Sequence, residues 1–288
     1  MERILLNVGP FSINLETPLK PVIESVKMLY AEQFFLTDST ANGFFDFHIK
    51  IDNPSQLRRW YKPQVQFYFD GKLPFKPLPF SQAYPFFEWG LNWCIATQVF
   101  NYLLIHSAVV ERNGFALILS GQPGAGKSTL CAALVNRGWR LLSDEMAVVD
   151  LQTNWLIPIV RPVSLKNESI QIIKNFAPDV VLGESFYDTA KGTVSHMKPG
   201  MDSVLKAKQN SPCKWIILPR FVKGADIVLK ELPKTEAVLK LAENSFNYAI
   251  LSSQGFLSLC ELVDASYCYE LEYSNLDEAI ALLADLPV

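Results

Sequence analysis

The feature that most constrains this chain is a glycine-rich turn at 120–130, SGQPGAGKSTL, which follows a continuous apolar run, FALILS, at 115–120. Gly121, four residues and then Gly-Lys-Ser at 126–128 is the spacing of a phosphate-binding loop. An unbroken apolar run of this length is typical of a strand that is buried on both faces. The sequence therefore predicts a strand, a glycine turn and a helix in that order, which is the context that such a loop requires.

The loop residues have separate roles in binding a nucleotide. Glycines let successive backbone N–H groups converge on one phosphate, and the following helix directs its positive end to the same point. Lys127 is expected to contact the β- and γ-phosphates of ATP, and the Ser128 hydroxyl to coordinate Mg²⁺. The alternative, a glycine-rich turn with a structural lysine, is disfavoured by the flanking strand and helix. The predicted nucleotide-binding residues are Gly121, Gln122, Pro123, Gly124, Ala125, Gly126, Lys127, Ser128 and Thr129.

Two adjacent acids follow the next predicted strand. WRLLS at 139–143 ends at Asp144 and Glu145, and ligand sites in α/β sheets form at the carboxyl ends of strands. One carboxylate is expected to hold Mg²⁺ while the other accepts a proton from an attacking hydroxyl. Because two acids this close titrate as a coupled set, the metal and base roles are assigned to the pair. Taken without the loop upstream, an Asp-Glu pair at a strand end is usually exposed to solvent.

Two histidines lie in contrasting surroundings. His106 stands in LLIHSAVVE, a predicted strand at 103–111, where a lone histidine is more often a hydrogen-bonded core residue than a catalyst. His196 belongs to GESFYDTAKGTVSHMKPG at 183–200, whose Gly, Ser and Thr content predicts a mobile loop. This loop is interpreted equally well as a solvated surface loop and as a lid over a substrate.

Turn residues and periodicity predict the other elements. Gly138 stands where a left-handed C-cap would end the helix after the loop, and Arg-Asn-Gly at 112–114 predicts a hairpin before the 115–120 strand. Helices are predicted at 81–103, 127–137, 235–244, 246–263 and 275–286, and strands at 44–51, 65–71, 146–151, 153–160, 214–218 and 266–274.

The composition excludes several classes of protein. The 288 residues are 49% hydrophobic and 19% charged, with a net charge of −3, which suits a globular chain of one large domain or two small ones. Without a long basic run, nucleic acid is not an expected partner. Five scattered cysteines with no C-x-x-C pair indicate neither a disulfide framework nor a zinc site. The N-terminus does not resemble an export signal, so a cytoplasmic location is expected.

The chain is predicted to have two parts. The uncharged segment 89–110 approaches the length of a membrane span, but its Asn, Gln and His side chains favour a buried helix that runs into a buried strand. Before it, strand-like alternation ends at a Pro-rich passage, KLPFKPLPF at 72–80, which neither a helix nor a central strand can continue. The prediction is a smaller N-terminal α+β region at 1–80 and a catalytic α/β domain at 81–288.

From His106 onward the residues resemble a known family. HSAVVERNGFALILSGQPGAGKSTLCAALVNRGWRLLSDEMAVV, at 106–149, resembles the catalytic core of the bacterial HPr serine kinase/phosphorylase, in which a His, a phosphate loop and an acidic pair follow in this order. The stretch from KWIILPRF to YELEYSNLDEAIALLADL is similar to the subgroup called HPr kinase-related kinase A. Together these cover most of 100–288. Three features differ from HPr kinases: Glu replaces the second Asp, the arginine-and-glycine signature that helps engage HPr is missing, and the first hundred residues do not match.

The resemblance implies a P-loop kinase fold of the HPr kinase and phosphoenolpyruvate carboxykinase type. It implies Mg²⁺-ATP as the phosphoryl donor and a serine of a peptide or small protein as the acceptor. Lys127 and Ser128 match residues that bind phosphate and metal in this family. Asp144 matches the base that takes the serine proton, Glu145 the second acid at the metal, and His106 an active-site histidine.

Two other functions fit the sequence. The protein is alternatively a nucleotide sensor, which binds ATP without transfer and signals to a partner through the N-terminal region. A small-molecule kinase is the third interpretation, although 183–203 supplies no arginine for the lid that nucleotide kinases use. Arg161 and Arg220 are two further cations that could reach the site, and membership of ordinary surface ion pairs is the preferred interpretation of both. The oligomeric state is open, a homo-oligomer included, and so is the reverse reaction, dephosphorylation by phosphate attack.

Overall fold

The computed structural model describes residues 1–30, 33–36, 44–55 and 57–287. Within these ranges the fold is mixed α/β with a six-stranded, a nine-stranded and a three-stranded sheet. The first part of the chain contains β1 (Glu2–Val8), β2 (Phe11–Thr17), α1 (Lys20–Tyr30), β3 (Phe34–Leu36), β4 (Phe47–Asp52), α2 (Leu57–Trp60), β5 (Gln64–Phe69), β6 (Leu78–Pro79) and α3 (Ala83–Gln98).

The N-terminal sheet and α3 share one hydrophobic core. The strands lie in the order β3-β1-β2-β4-β5-β6, and their alternating apolar residues, such as Ile4 and Leu6, are buried with the apolar faces of α1 and α3. Gly90 lets α3 approach the sheet closely, because a Cβ there would collide with the Phe67 ring. The same core extends to Met146, in the second part of the chain. The division at residue 80 stays a prediction, with α3 packed on the N-terminal sheet.

The second part of the chain builds the nine-stranded sheet and its flanking helices. Its elements are β7 (Tyr102–Ile105), β8 (Ser107–Arg112), β9 (Phe115–Ser120), α4 (Lys127–Asn136), β10 (Arg140–Ser143), β11 (Ala147–Asp150), β12 (Trp155–Ile157), β13 (Val163–Lys166), α5 (Glu168–Phe176), β14 (Phe186–Thr189), β15 (Gly192–Met197), α6 (Met201–Leu205), β16 (Ser211–Phe221), β17 (Val228–Glu231), α7 (Lys234–Glu243), α8 (Tyr248–Asp264), β18 (Tyr267–Tyr273) and α9 (Leu276–Ala284).

β16 lies at the centre of the large sheet. It pairs in parallel with β9 on one side and with β18 on the other, while its first residues pair with β12. β8 is antiparallel to both β9 and β10, so β9 and β10 run in the same direction. Both strands therefore end at the same edge of the sheet, where the phosphate-binding spacing and the two acids follow.

The FALILS run is buried on both faces of this sheet, as the sequence predicts. Leu117 and Leu119 pack in one core with α4, α5 and α9. Ala116 and Ile118 point the other way, into a second core with α7 and α8. Because successive strand residues alternate between faces, a strand covered by helices on both sides is apolar along most of its length, and in β9 the one polar residue, Ser120, stands at the end that leads into the turn.

Most of the predicted elements are confirmed, with small shifts at their ends. The helix predicted at 127–137 is α4, and Gly138 follows it with φ of 91°. The predicted helices at 235–244, 246–263 and 275–286 are α7, α8 and α9. The predicted hairpin at 112–114 joins β8 to β9. The helix predicted at 81–103 ends earlier, at Gln98.

Two parts of the sequence prediction are wrong. The single strand predicted at 103–111 is two strands, because β7 pairs with β11 while β8 pairs with β9 and β10, and His106 lies at the change of partner. The mobile loop predicted at 183–200 is largely an ordered hairpin, β14 and β15, whose second strand pairs with β13. The glycine and serine content predicted a loop. The hairpin is ordered because Val194 and Met197 of β15 are buried, and their burial stabilises its packing on the rest of the fold.

No helix in the described ranges has both the length and the apolar character needed to cross a membrane. The uncharged segment at 89–110 is instead divided among α3, β7 and β8. This matches the prediction of a buried helix that runs into a buried strand.

Candidate functional site

The glycine turn between β9 and α4 has backbone angles that favour glycine. Gly121, Gly124 and Gly126 have φ of 141°, 87° and 94°, a region that L side chains rarely adopt. A Cβ on Gly126 would also lie 2.7 Å from the Tyr273 hydroxyl. Gly126 is the N-cap of α4, so the free N–H groups of the first helical turn face the loop. This arrangement is suited to an anion.

Lys127 is held inside this loop. Its side chain is 8% exposed, and its Nζ donates hydrogen bonds to the carbonyl oxygens of Gly121 at 2.6 Å and Gln122 at 3.3 Å. Burial lowers the pKa of Lys127, while the carboxylates of Glu145 and Asp144 raise it. The ammonium group and both acids therefore belong to one electrostatic cluster.

Asp144 and Glu145 follow β10 directly and differ in their surroundings. Asp144 is 7% exposed; its Oδ2 accepts a hydrogen bond from the backbone N–H of Ser164 at 2.9 Å. Burial and the charge of Glu145 raise the pKa of Asp144 to about 7, against the hydrogen bond from Ser164 and the charge of Lys166. Burial would also raise the pKa of Glu145, but Lys166, whose Nζ lies 3.7 Å away, and other cations lower it. The two acids thus have pKa values shifted in opposite directions.

His106 is close to the same cluster, at the junction of β7 and β8. Its ring is half-buried and stands edge-on to Phe246, with the ring centres 5.7 Å apart. Burial lowers the pKa of His106, Glu145 raises it, and Lys127 lowers it. The imidazole is therefore expected to be neutral at neutral pH.

Two cavities border this part of the fold, one at the glycine turn and one at the two acids. A cavity of about 460 Å³ borders Gly121, Gln122 and Ala125 of the loop. A second cavity, of about 470 Å³, borders Asp144 and Glu145. We call them the loop cavity and the acidic cavity. The loop cavity continues along Leu218, Pro219, Arg220, Val228, Lys230, Lys240, Glu243, Asn244, Glu270, Leu271 and Glu272.

Arg161 is not the surface residue that the sequence suggested. It is 7% exposed, and its guanidinium donates to the Glu88 carboxylate at 2.5 Å and to the Glu88 carbonyl at 3.0 Å. It also donates to the Asn92 side chain. Burial opposes the charge on Arg161, but Tyr30 and Glu88 raise its pKa. Arg220, by contrast, is exposed and lies 3.5 Å from Glu272, which is the surface pair that was expected.

His196 is neither a surface residue nor part of a mobile lid. It lies in β15, is 3% exposed, and borders the acidic cavity. Its ring stands edge-on to Tyr84, with the ring centres 5.1 Å apart. Burial lowers the pKa of His196, although Glu88 raises it. Its Nδ1 has no hydrogen-bond partner among the residues that the structure describes.

The residues around Asp144 fit a magnesium ion. Within the described ranges there is no cluster of three or more His, Cys, Asp or Glu side chains that could hold a metal. Magnesium, however, usually binds one or two carboxylates and completes its shell with water and substrate phosphates. Asp144 Oδ1 is buried without a hydrogen-bond partner in the described part of the chain, which suits a cation ligand. Ser128 and Glu145 lie beside it.

Glu88 and Arg161 are the residues near the site whose pairing sequence reasoning missed. Glu88 is the only charged residue in α3, which is otherwise apolar or uncharged. An acid in such a helix needs a cation partner when it is buried, and this was the available signal. The partner itself could not be identified, because Arg161 lies far away in the sequence and is brought to α3 by the packing of the sheets.

Comparisons with known proteins add little to this geometry. The chain matches no protein-family model and no curated protein sequence. Among solved structures it is similar to the Hpr(Ser) kinase/phosphatase from Coxiella burnetii, with a TM-score of 0.29 and 13% sequence identity over 63% of this chain and 94% of that chain. The similarity is weak and does not establish a shared activity.

Proposed function

We propose that this protein is an ATP-dependent kinase that transfers the γ-phosphate to a hydroxyl, with serine in a peptide or small protein as the favoured acceptor. One observation carries the proposal: the buried Lys127, at the start of α4 after a glycine turn, and the two acids that follow β10 lie at the same edge of the large sheet. The pKa values of these acids are shifted in opposite directions. Such a separation is a general mark of a site that divides base and binding roles between two carboxyl groups.

The loop is proposed to hold the phosphates of ATP. Backbone N–H groups of the turn and of the first turn of α4 would bind them, and the Lys127 ammonium would exchange its two carbonyl partners for phosphate oxygens. The rest of the nucleotide would lie in the loop cavity, whose lining carries Lys230 and other cations together with the acids Glu243, Glu270 and Glu272. When bound, Mg²⁺ would neutralise phosphate charge from a position beside Ser128, Asp144 and Glu145.

The transfer itself requires few groups. The acceptor oxygen forms a bond to the γ-phosphorus while the bond from that phosphorus to the β–γ bridging oxygen breaks, which leaves ADP. The acceptor's proton passes to Asp144, whose raised pKa makes it a suitable base near neutral pH. Lys127 stabilises the negative charge on the transferring group. His106, neutral and near Glu145, would supply a hydrogen bond at the same site.

Replacing Lys127 by alanine tests this proposal. The Lys127→Ala variant should transfer phosphate about 10³-fold more slowly, because electrostatic positioning carries most of the catalysis in phosphoryl transfer. The measurement is single-turnover transfer from γ-labelled ATP to serine peptides. Lys208→Ala, which removes an exposed lysine outside both cavities, is the matched control and should leave the rate unchanged. Full activity of Lys127→Ala would contradict the proposal.

A nucleotide sensor is the second candidate, and the Arg161 contacts favour it. These contacts join the N-terminal layer to a strand region beside the acids, so a change at the nucleotide has a physical route to the N-terminal surface. A sensor would bind labelled ATP, label no acceptor, and bind ATP equally well as Asp144→Asn. A kinase would instead lose acceptor labelling in that variant.

A further inference from the structure

The acidic cavity lies between the two parts of the chain. Five segments line it: β6, the start of α3, the residues after β10, the residues before β13, and the β14–β15 hairpin. At about 470 Å³ it is in the size range of sites that enclose small ligands, roughly 300–1,000 Å³. The first part of the chain forms part of its wall, and the proposed phosphoryl transfer assigns no other role to that part.

Apolar side chains dominate its lining. The ring of Trp89 stacks on the ring of Phe86, with the ring centres 5.9 Å apart, and the centre of the Phe75 ring lies 4.4 Å from that of Trp89. The charges of Arg161 and Glu88 in the wall are already paired with each other, so they leave no net charge for a ligand to neutralise. The lining includes the apolar residues Leu78, Phe86, Trp89 and Ala190, and the charged residues Asp144, Glu145, Asp188 and Lys191 also border the cavity.

The acceptor hydroxyl has to reach a buried base. Asp144 is 7% exposed and borders this cavity. A serine hydroxyl is only one bond beyond Cβ, so the atoms that carry it must themselves enter the cavity. A folded protein surface, which typically contacts a partner over about 800 Å² per side, cannot follow the hydroxyl into a space of this volume. The acceptor is therefore small or unfolded where it binds.

His196 is one of the buried polar residues that border the cavity. Its Nδ1 lacks a hydrogen-bond partner in the described ranges, but this atom is enclosed in the wall and not exposed to the cavity. The apolar lining and Asp144, rather than this nitrogen, therefore define what the cavity can bind.

We propose that the acidic cavity binds the phosphoryl acceptor, and that it selects a hydroxyl carried on an apolar or aromatic group of one or two residues in size, free or within an unfolded segment. The first part of the chain supplies one wall of this acceptor site through Leu78 and the first turns of α3. The inference rests on the proposed kinase activity, because Asp144 is taken as the base.

Two blocked dipeptides test the selection. The probes are N-acetyl-Phe-Ser-amide and N-acetyl-Asp-Ser-amide, each incubated with the full-length protein and γ-labelled ATP. The Phe probe should be labelled at least about 10-fold faster, the usual discrimination of an apolar pocket. A 20-residue unfolded peptide that contains Phe-Ser, and a folded protein with an exposed Phe-Ser on its surface, distinguish the sources. Labelling of the folded protein at the rate of the dipeptide would overturn the inference.

Substitutions in the wall test the location. Trp89→Ala should raise the KM for the Phe probe about 10-fold, with ATP affinity unchanged. Trp155→Ala is the matched control, because Trp155 is exposed to a similar degree, 46% against 42%, and lies outside both cavities. Ala190→Trp, at the exposed rim of the cavity, should block labelling of both dipeptides while Ala265→Trp does not. Ala190→Trp changes an exposed residue and leaves the core unchanged, so it tests the location of the acceptor site even if Trp89→Ala fails to fold.

Failure of the inference is distinguishable from failure of the proposed function. Binding of ATP that depends on Lys127, together with turnover of ATP, supports the proposed function irrespective of the acceptor. If ATP is bound and turned over but both probes are labelled equally or not at all, or Ala190→Trp has no effect, the acceptor site is wrong. If ATP is not bound, the proposed function and this inference both fail.

Discussion

At the residue scale, Asp144 carries the strongest conflict between stability and activity. Its carboxyl group is buried beside another acid, and this raises its pKa to about 7. A group with this pKa can exchange a proton with a hydroxyl near neutral pH. The ionised form that accepts the proton, however, is a negative charge buried in the folded protein. The cost of that burial is a measurable property of this one side chain.

Replacing Asp144 by asparagine should therefore stabilise the fold at high pH. Between the ordinary value of 3.8 and about 7, the unfolded chain has lost a proton that the folded chain keeps, so stability falls as the pH rises. Above pH 7 the whole penalty is present. Asp144→Asn should raise the melting temperature by roughly 3–6 °C at pH 8, and by much less at pH 4, while transfer slows by about 10²-fold or more.

Asp150 provides the opposite control for thermal unfolding at the two pH values. Its carboxylate accepts hydrogen bonds from the backbone N–H groups of Thr153 and Gln152, and the Thr153 bond is the main cause of its lowered pKa. Its charge therefore stabilises the fold at high pH and loses this effect as the pH falls. Asp150→Asn should not raise the melting temperature at pH 8. Equal gains at both pH values for Asp144→Asn would contradict the assigned pKa.

At the scale of single elements, the junction of the loop with α4 depends on a distant strand. Gly126 has a left-handed φ, and a Cβ at this position would collide with the hydroxyl of Tyr273, in β18. Gly124 has a similar φ, but within the described part of the chain no atom lies within 4 Å of where its Cβ would be. The two glycines thus separate the backbone requirement from the packing requirement.

Alanine at these two positions should have unequal effects. Gly124→Ala should lower the free energy of unfolding by on the order of 1 kcal/mol, because it adds only the strain of the left-handed conformation. Gly126→Ala adds a collision with Tyr273 and should lower the free energy of unfolding by roughly 2–3 kcal/mol. ATP affinity, measured by calorimetry, should fall more for Gly126→Ala. Adding Tyr273→Phe, which removes the oxygen, should restore part of the loss. Equal losses at Gly124 and Gly126 would show that the Tyr273 contact is unimportant.

At the scale of the whole molecule, a buried ion pair joins the first part of the chain to the second. Arg161 reaches Glu88 of α3 and the hydroxyl of Tyr30 at 3.4 Å in α1. The hydroxyls of Tyr30 and Tyr84 both donate to the Glu88 carboxylate. Every charge in this group has a partner, so removing one member leaves another uncompensated.

Breaking this pair from one side should be far more costly than removing both charges. Arg161→Met should destabilise the protein by about 3–5 kcal/mol, because Glu88 is left charged and buried. Adding Glu88→Gln should recover much of that loss, since glutamine still accepts the tyrosine hydrogen bonds. Arg220→Met, which breaks an exposed pair, should cost less than about 1 kcal/mol. Urea unfolding measures all three. Similar losses for Arg161→Met and Arg220→Met would contradict the role given to the buried pair.

The local part of the site follows from the sequence by itself. A run of apolar residues, glycines at positions that need positive φ, and a helix after them are properties of neighbouring residues, so 115–137 predicts its own strand, turn and helix. The ends of β9 and β10 also followed from the order of elements, which placed Asp144 and Glu145 at the edge that carries the loop. The strand, turn and helix need only short-range physics, whereas the shared edge also depends on β8, which pairs with both β9 and β10.

Only the tertiary structure decided the rest. The burial of His196, the partner of Arg161 and the acidic cavity depend on residues from several distant elements, and no local pattern specifies which of them meet. The composition of 183–200 favours a loop, but packing against β13 makes β14 and β15 strands, because apolar burial outweighs a weak local preference. The sequence by itself determined the phosphate-loop turn and the acids that follow; long-range packing decided what surrounds them, since burial and pairing are properties of the assembled core.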